Sequence, residues 1–365
     1  MHGVTATVLA NDGTARSTVA TTARGSYRTP CYMPVGTRGT VRYLSAADYS
    51  SLGAEIVLAN TYHLMLRPGA ETVAHLGGIG AFTGWDGLTL TDSGGFQIFS
   101  LEPDVDDDGV TFASVYDGST HRLTPESAVA IQELIGADIQ MALDVCPPLP
   151  SPDELVRLAV ERPVAWASRA RAAHHREDQA LFGIVQGGTS ATWRGEGARR
   201  IVDSGFDGYA IGGLSVGERR DEMIDALSAT IEHLPTDRPR YLMGVGDPTG
   251  MIEAIAAGVD QFDCVLQSRL GRHGTALTSN GKLHVKAARH ALEDQPLDPT
   301  CACSTCARHS RGYLRHLFNV GEGTAARLVT MHNIAFTLAL MARAREAIAA
   351  GSMATLRHEV LSIWG

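Results

Sequence analysis

Lysine is almost absent from this chain of 365 residues: Lys282 and Lys286 are the only two, so nearly every cation is an arginine. Arginine is the better bidentate partner for phosphate, but so general a bias reflects genome composition as readily as selection for anion binding. No run of 18 apolar residues occurs, and no membrane span is expected. The opening residues, Met1-His2-Gly3-Val4-Thr5, lack a basic segment followed by an apolar one. No secretory signal is therefore expected, and the reading is cytoplasmic. The net charge of −9 argues mildly, taken alone, against a nucleic-acid partner. What remains is an ordinary globular composition, 44% hydrophobic and 19% charged, with room for one large domain and an insertion.

The charge is unevenly spread. Between Val265 and Val320 stand eight Lys and Arg (Arg269, Arg272, Lys282, Lys286, Arg289, Arg308, Arg311, Arg315) against three acids (Glu293, Asp294, Asp298). A solvated surface gives the same pattern, and for a charge run alone it is the commoner meaning.

Short apolar runs recur along the chain: Cys31–Val35, Glu55–Ala59, Leu88–Thr91, Ile139–Leu143, Leu181–Val185, Tyr209–Ile211, Tyr241–Met243 and Gln261–Leu266. Amphipathic stretches lie between them, at Ala46–Leu52, Pro125–Leu134, Pro152–His174, Thr192–Ser204, Arg219–His233 and Pro248–Ala257. Pro125, Pro152 and Pro248 sit at helix starts, after Thr124, Ser151 and Asp247 as N-caps. Eight strands mostly alternating with helices predict an α/β protein, a (β/α)8 TIM barrel, with a doubly wound open sheet as the alternative. The expected organisation is an N-terminal β region over 1–29, a barrel core over 30–269, a zinc-binding insertion over 270–332, and a closing helix with the C-terminus over 333–365. Ser93–Thr124 reads as a hairpin-like insertion after the third strand. Tyr313–Phe318 reads as core packing.

Three of the six cysteines cluster as Cys301, Cys303 and Cys306, in a C-x-C-x-x-C knuckle, and His332 follows just before the expected last helix. Three thiols and one imidazole saturate a tetrahedral Zn²⁺, which would then be structural. His309 is the rival fourth ligand. Two acids stand where a barrel puts its chemistry: Asp92 just after the third strand, and Asp263 within the eighth, followed by an Arg-bearing loop. One carboxylate can attack a carbon while the other moves a proton, which is the division that glycosidic bonds require. Two structural acids capping loops would look alike in sequence. Gln186-Gly187-Gly188, Gly212-Gly213-Leu214 and Gly244-Val245-Gly246 end three further strands and suggest backbone lining a flat pocket.

Thr91-Asp92-Ser93-Gly94-Gly95-Phe96-Gln97, Asn60-Thr61-Tyr62-His63-Leu64, Ala142–Cys146, Val185–Gly188, Gly212–Glu218, Met243–Gly246, Phe262–Val265 and the Cys301/Cys303/Cys306/His332 set span nearly the whole chain. Together they resemble the bacterial tRNA-guanine transglycosylases of the queuine tRNA-ribosyltransferase family. These are zinc-containing barrel enzymes that exchange wobble guanine of tRNA for a 7-deazaguanine base on the way to queuosine. The resemblance implies that Asp263 is the nucleophile at ribose C1′, forming a covalent enzyme–RNA intermediate, and that Asp92 is the general acid/base. It implies that Asp144, Gln186 and the backbone of Gly213 and Leu214 hold the base edges, with Phe96 and Met243 on its faces. Val216 in place of glycine favours the small base preQ1, and Glu218 would help the pocket peptide switch between guanine and preQ1. Arg269 and Arg272 would contact the anticodon loop, and a homodimer would form through the zinc segment and last helix. The chain departs from the family at Gln267-Ser268, where Pro-Thr is usual. A 7-deazaguanine transglycosylase for another nucleic acid, a noncatalytic tRNA-binding subunit and a simple glycoside hydrolase are the competing functions. The retained acids oppose the second, and the zinc segment and base pocket oppose the third.

Overall fold

A computed structural model describes residues 3–365; Met1 and His2, at the start of the expected N-terminal region, lie outside it. Eight parallel strands close into a barrel: β1 (Cys31–Gly36), β2 (Ile56–Ala59), β3 (Leu88–Thr91), β4 (Ile139–Met141), β5 (Ala180–Val185), β6 (Gly208–Ile211), β7 (Arg240–Leu242) and β8 (Gln261–Cys264). The seam pairs Asp263 of β8 with Met33 of β1, and β4 returns to β3 through Ile139 and Leu90. Closure excludes the open sheet. The strand positions agree with the apolar runs to within a residue or two, because each run is bounded by Gly or polar residues that end the ladder.

The pleat divides the strands between two cores. Met33, Leu58, Leu90, Met141, Ile184, Ala210 and Tyr241 fill the barrel interior. Tyr32, Val185, Ile211, Leu242 and Phe262 face the surrounding helices. Asp263 follows Phe262 and so turns inward, beside Tyr241. The N-terminal region is a three-stranded antiparallel sheet, Thr5–Asp12, Ala15–Thr21 and Ser26–Thr29. Its Ala20 and Tyr27 join the interior core, so the sheet stoppers the N-terminal end of the barrel. Arg16 in that sheet donates to Asp260 at 2.9 Å, with both side chains buried, and so anchors the start of β8.

The helices around the barrel are α1 (Ala46–Ser51), α2 (Pro125–Ile135), α3 (Asp153–Ala173), α4 (Ala191–Asp203), α5 (Arg220–Ile231), α6 (Pro248–Ala257), α7 (Leu266–His273), α8 (Gly323–Ala349) and α9 (Met353–Trp364). Thr124 and Asp247 cap α2 and α6 as expected, accepting from the N–H groups of Ser127 and Gly250. Ser151 does not cap α3. Its hydroxyl donates to the Pro148 carbonyl instead, and Pro152 flanks the helix. The insertion after β3 is a short helix, Gly95–Phe99, followed by a three-stranded antiparallel sheet of Asp104–Val105, Val110–Ala113 and Thr120–Leu123.

Two expectations fail after β8. The arginine-bearing segment is not a loop but the helix α7, and β8 ends at Cys264. Gly271 does not break α7; it permits close packing, since a Cβ there would lie 2.7 Å from the Thr330 backbone nitrogen of α8. The last long helix starts at Gly323, not Asn333, so His332 lies inside it. A further helix, α9, follows. By length and composition α8 is apolar enough to cross a membrane, but 67% of its most apolar stretch is buried, as in a core helix. Asn333 fastens it in place: its amide donates to the carbonyls of Gln267 and Thr275 at 3.0 Å each, and its oxygen accepts from Leu277 at 2.9 Å. Leu314 and Leu317 are buried in the small core of the metal-side segment, so Tyr313–Phe318 is core packing, with Tyr313 partly open.

Candidate active site

Parallel strands all deliver their C-terminal ends to one mouth, so residues remote in sequence converge there. A cavity of about 550 Å³ opens at that mouth. It is lined by Asp92, Asp144, Gln186, Gly213, Leu214, Val216, Phe96, Met243, Asp263 and Arg269, thus collecting every expected site residue outside the metal set except Glu218 and Arg272.

Asp92 follows β3 at the end of the ladder. Asn60 donates to its Oδ2 at 2.5 Å, and the N–H groups of Thr61 and Gly94 donate to Oδ1 at 2.8 and 3.2 Å. Burial pushes this carboxyl up to about 7; the amide donors oppose the rise and the neighbouring Asp263 adds to it. Asp263 is held at Oδ1 by the Tyr241 hydroxyl at 2.6 Å and the Gly244 N–H at 2.8 Å. Burial raises its pKa as well, while Tyr241 and Gly244 pull it down by favouring the ionised form. No hydrogen bond reaches its other oxygen among the described residues. The two acids therefore share one desolvated site with separate sets of donors, the condition for dividing nucleophilic and proton-transfer work.

The far wall has the character of an edge-reading pocket. Gln186 donates to Asp144 Oδ2 at 2.6 Å, and Ser93 to Oδ1 at 3.3 Å. Gln186 Oε1 is buried without a partner among the described residues, an acceptor waiting for a donor. Glycine is required beside it: a Cβ on Gly213 would lie 2.2 Å from Gln186 Oε1. Phe96 is 58% exposed, unlike a packed core ring, and is free to cover a flat ligand. Ser215 adopts φ 61°, and the N–H groups of Ser215 and Val216 both donate to the Glu218 carboxylate.

Arg269 is exposed and Arg272 half-buried; neither makes an ion pair among the described residues. Gln267 is fully buried. Its amide donates to the Gly246 carbonyl at 2.8 Å and to Thr337 at 3.2 Å, and its oxygen lies 2.9 Å from the Tyr32 hydroxyl. The residue at which the chain departs from the family pattern thus ties the β7 turn to β1 and α8.

With this geometry in place, comparison with known proteins is direct. A family model described as queuine tRNA-ribosyltransferase matches residues 12–365. The chain belongs to this family. A queuine tRNA-ribosyltransferase of Herpetosiphon aurantiacus is 51% identical over 95% of this chain and 89% of that protein. One from Solidesulfovibrio magneticus is 50% identical over 97% and 96%, and one from Thermoanaerobacter pseudethanolicus 48% identical over 96% and 94%.

Three side chains of this family member carry the site without having been singled out for a role in sequence. Asn60 caps the short helix Thr61–Leu66 through its oxygen while its amide holds Asp92. Tyr241 has the look of one more apolar strand residue. Arg194 lies on α4 as one of many arginines, yet it is completely buried. Only the period-two pleat could have pointed to Tyr241, two strand ends being needed to place it against Asp263.

The metal set is also brought together. Ligand atoms of Cys301, Cys303, Cys306 and His332 all lie within 4.8 Å of one another. His332 Nε2 donates to the Leu277 carbonyl at 2.7 Å, which leaves Nδ1 free to ligate, 3.2 Å from the Cys306 sulfur. His309 stacks on Tyr313 and is not in this group. Elemental analysis of purified protein is expected to find about one equivalent of a divalent transition metal. Cys306→Ser should lose it and unfold at lower temperature; a variant with wild-type metal content would contradict the assignment.

Proposed function

We propose that this chain replaces guanine at the wobble position of tRNA with preQ1, a step in queuosine biosynthesis, by double displacement at ribose C1′. Membership of the family supports the reaction. The observation that carries the mechanism is the pair of differently held acids in one cavity beside an unsatisfied amide.

Asp263, its Oδ1 fixed by Tyr241 and Gly244, is the nucleophile. Its free oxygen attacks C1′ as the C1′–N9 bond to guanine breaks, leaving RNA esterified to the enzyme. Asp92, with its raised pKa, helps guanine depart as a proton donor and later takes a proton from the incoming base, whose nitrogen then displaces Asp263. Asp144, Gln186, Gly213 and Leu214 read the base edges, while Phe96 and Met243 cover its faces. A flipped base demands such polar edges and apolar faces. Val216 narrows the pocket for the aminomethyl group of preQ1, and Glu218 holds the adjoining peptides. Arg269 and Arg272, free of acidic partners, meet anticodon-loop phosphates.

The metal is zinc: three thiolates and one imidazole leave no open position, so it fixes structure and takes no part in exchange. The protein acts in the cytoplasm. It works as a homodimer through the apolar groove, of about 840 Å³, that runs from Cys301–Cys303 along Ala335, Phe336, Ala339 and Trp364. Sedimentation at micromolar concentration is expected to give a dimer, and monomer alone would overturn that assignment.

Exchange of labelled guanine into bulk tRNA, with preQ1 as competitor, tests the function. Wild type should incorporate label and lose the incorporation when preQ1 is present. Asp263→Asn should incorporate none and give no RNA adduct on a denaturing gel; incorporation at the wild-type rate would sink the mechanism. Burial pushes Asp144 up to about 6, so it gains a proton and loses an acceptor as pH falls through that value. The guanine KM should therefore rise below pH 6, by at most about tenfold per unit, and Asp144→Asn should flatten the profile.

A further inference from the structure

A cation is hard to bury without a carboxylate, yet Arg194 is 0% exposed and its hydrogen bonds run to backbone oxygens. Nε donates to the Gly188 carbonyl at 2.7 Å. Nη1 donates to the carbonyls of Val185 and Gly212 at 3.2 and 2.9 Å, and Nη2 to that of Gly213 at 3.3 Å. One planar group thus gathers the turns that follow β5 and β6. Desolvation drives its pKa down to about 10, still far above neutrality, so the guanidinium stays charged.

In a trans peptide the C=O and the next N–H point in opposite directions. When Arg194 holds the Gly212 carbonyl on the outer side, the Gly213 N–H must face inward. It does: burial raises the pKa of the cavity-lining Cys146 thiol, and the Gly213 N–H, directed at that sulfur, opposes the rise. Sulfur is a weak acceptor, and a ligand oxygen arriving there would take the bond over. Gly213 sits at φ 66°, in the left-handed region that favours glycine and that a glycine is freest to leave. The next peptides, at Ser215 and Val216, are held by Glu218 and not by Arg194.

We propose that Arg194 is a positioning residue for base selection: by clamping the Gly212 and Gly213 carbonyls from behind, it aims the Gly213 N–H at the 6-carbonyl oxygen of the incoming base. The inference rests on the base-exchange reading above. It also divides the pocket wall into a fixed half, clamped by arginine, and an adjustable half, governed by Glu218.

The experiment compares Arg194→Met and Arg194→Lys with wild type in guanine exchange, with 2-aminopurine, which lacks the 6-oxygen, as competing inhibitor. Wild type should prefer guanine over 2-aminopurine by a wide margin. Arg194→Met should raise the guanine KM at least tenfold, leave the tRNA KM unchanged and bring the two bases close to equal affinity. Arg194→Lys, which keeps the charge but reaches fewer carbonyls, should restore part of the preference. Equal losses for both bases, or a rise in the tRNA KM to match, would make Arg194 merely structural and overturn the proposal. If the methionine variant does not fold, the lysine variant decides: an undiminished preference for guanine refutes the clamp, and a reduced one supports it. Failure of wild type itself to exchange guanine would refute the base-exchange reading instead.

Discussion

Three desolvated carboxylates facing one cavity, Asp144 buried and Asp92 and Asp263 partly so, set the terms for this molecule. Each costs several kcal/mol to desolvate if left ionised and unpartnered, and none of them forms an ion pair among the described residues. The structure answers with donors: Asn60, Thr61 and Gly94 for Asp92, Tyr241 and Gly244 for Asp263, Gln186 and Ser93 for Asp144. Those donors come from the ends of different strands, so only the closed barrel assembles them. The compensation is partial, and on the proposed mechanism that is what the chemistry needs. Full pairing with arginine would fix the acids as permanent anions, unable to move a proton near neutrality, while no compensation would leave them all protonated and unable to attack.

Much of this was legible in the sequence, for identifiable reasons. Barrel strands are short and buried on both faces, so they appear as apolar runs cut off by Gly, Asp or Asn, and the eight runs could be counted. Asp92 and Asp263 stood out because acids at such positions break the pattern. Cys301, Cys303 and Cys306 are close enough in sequence to mark a metal set. What could not be read depends on pairing across strands. Tyr241 and Arg194 resemble a core aromatic and a surface cation until the fold brings a carboxylate and four carbonyls to them. The stretch 266–273 was misjudged because Gly271 looks like a breaker, whereas it is the point at which two helices come nearly into backbone contact. The start of α8 was placed too late because Gly321 and Gly323 hide a helix whose first turns are held by tertiary packing.

Gln267 stands where the resemblance to the family leads one to expect proline, and its surroundings show what a glutamine does there. Proline would fit the first turn of a helix such as α7, where a missing N–H costs little. Glutamine instead turns inward and binds three neighbours, converting a conformational restraint into a set of tertiary hydrogen bonds. The backbone outcome is an ordered helix directly after the strand that carries Asp263, with Arg269 and Arg272 displayed from it.

His332 and Asn333 are consecutive on α8, and they face two different tasks. The first completes the metal set; the second holds the carbonyl of Gln267, on the helix that follows β8. A slip of α8 by a single residue would misplace both at once. The order of the cysteine segment and the seating of α7 are therefore coupled through one helix: a displacement of α8 that opens the metal set also withdraws Asn333 from the Gln267 carbonyl.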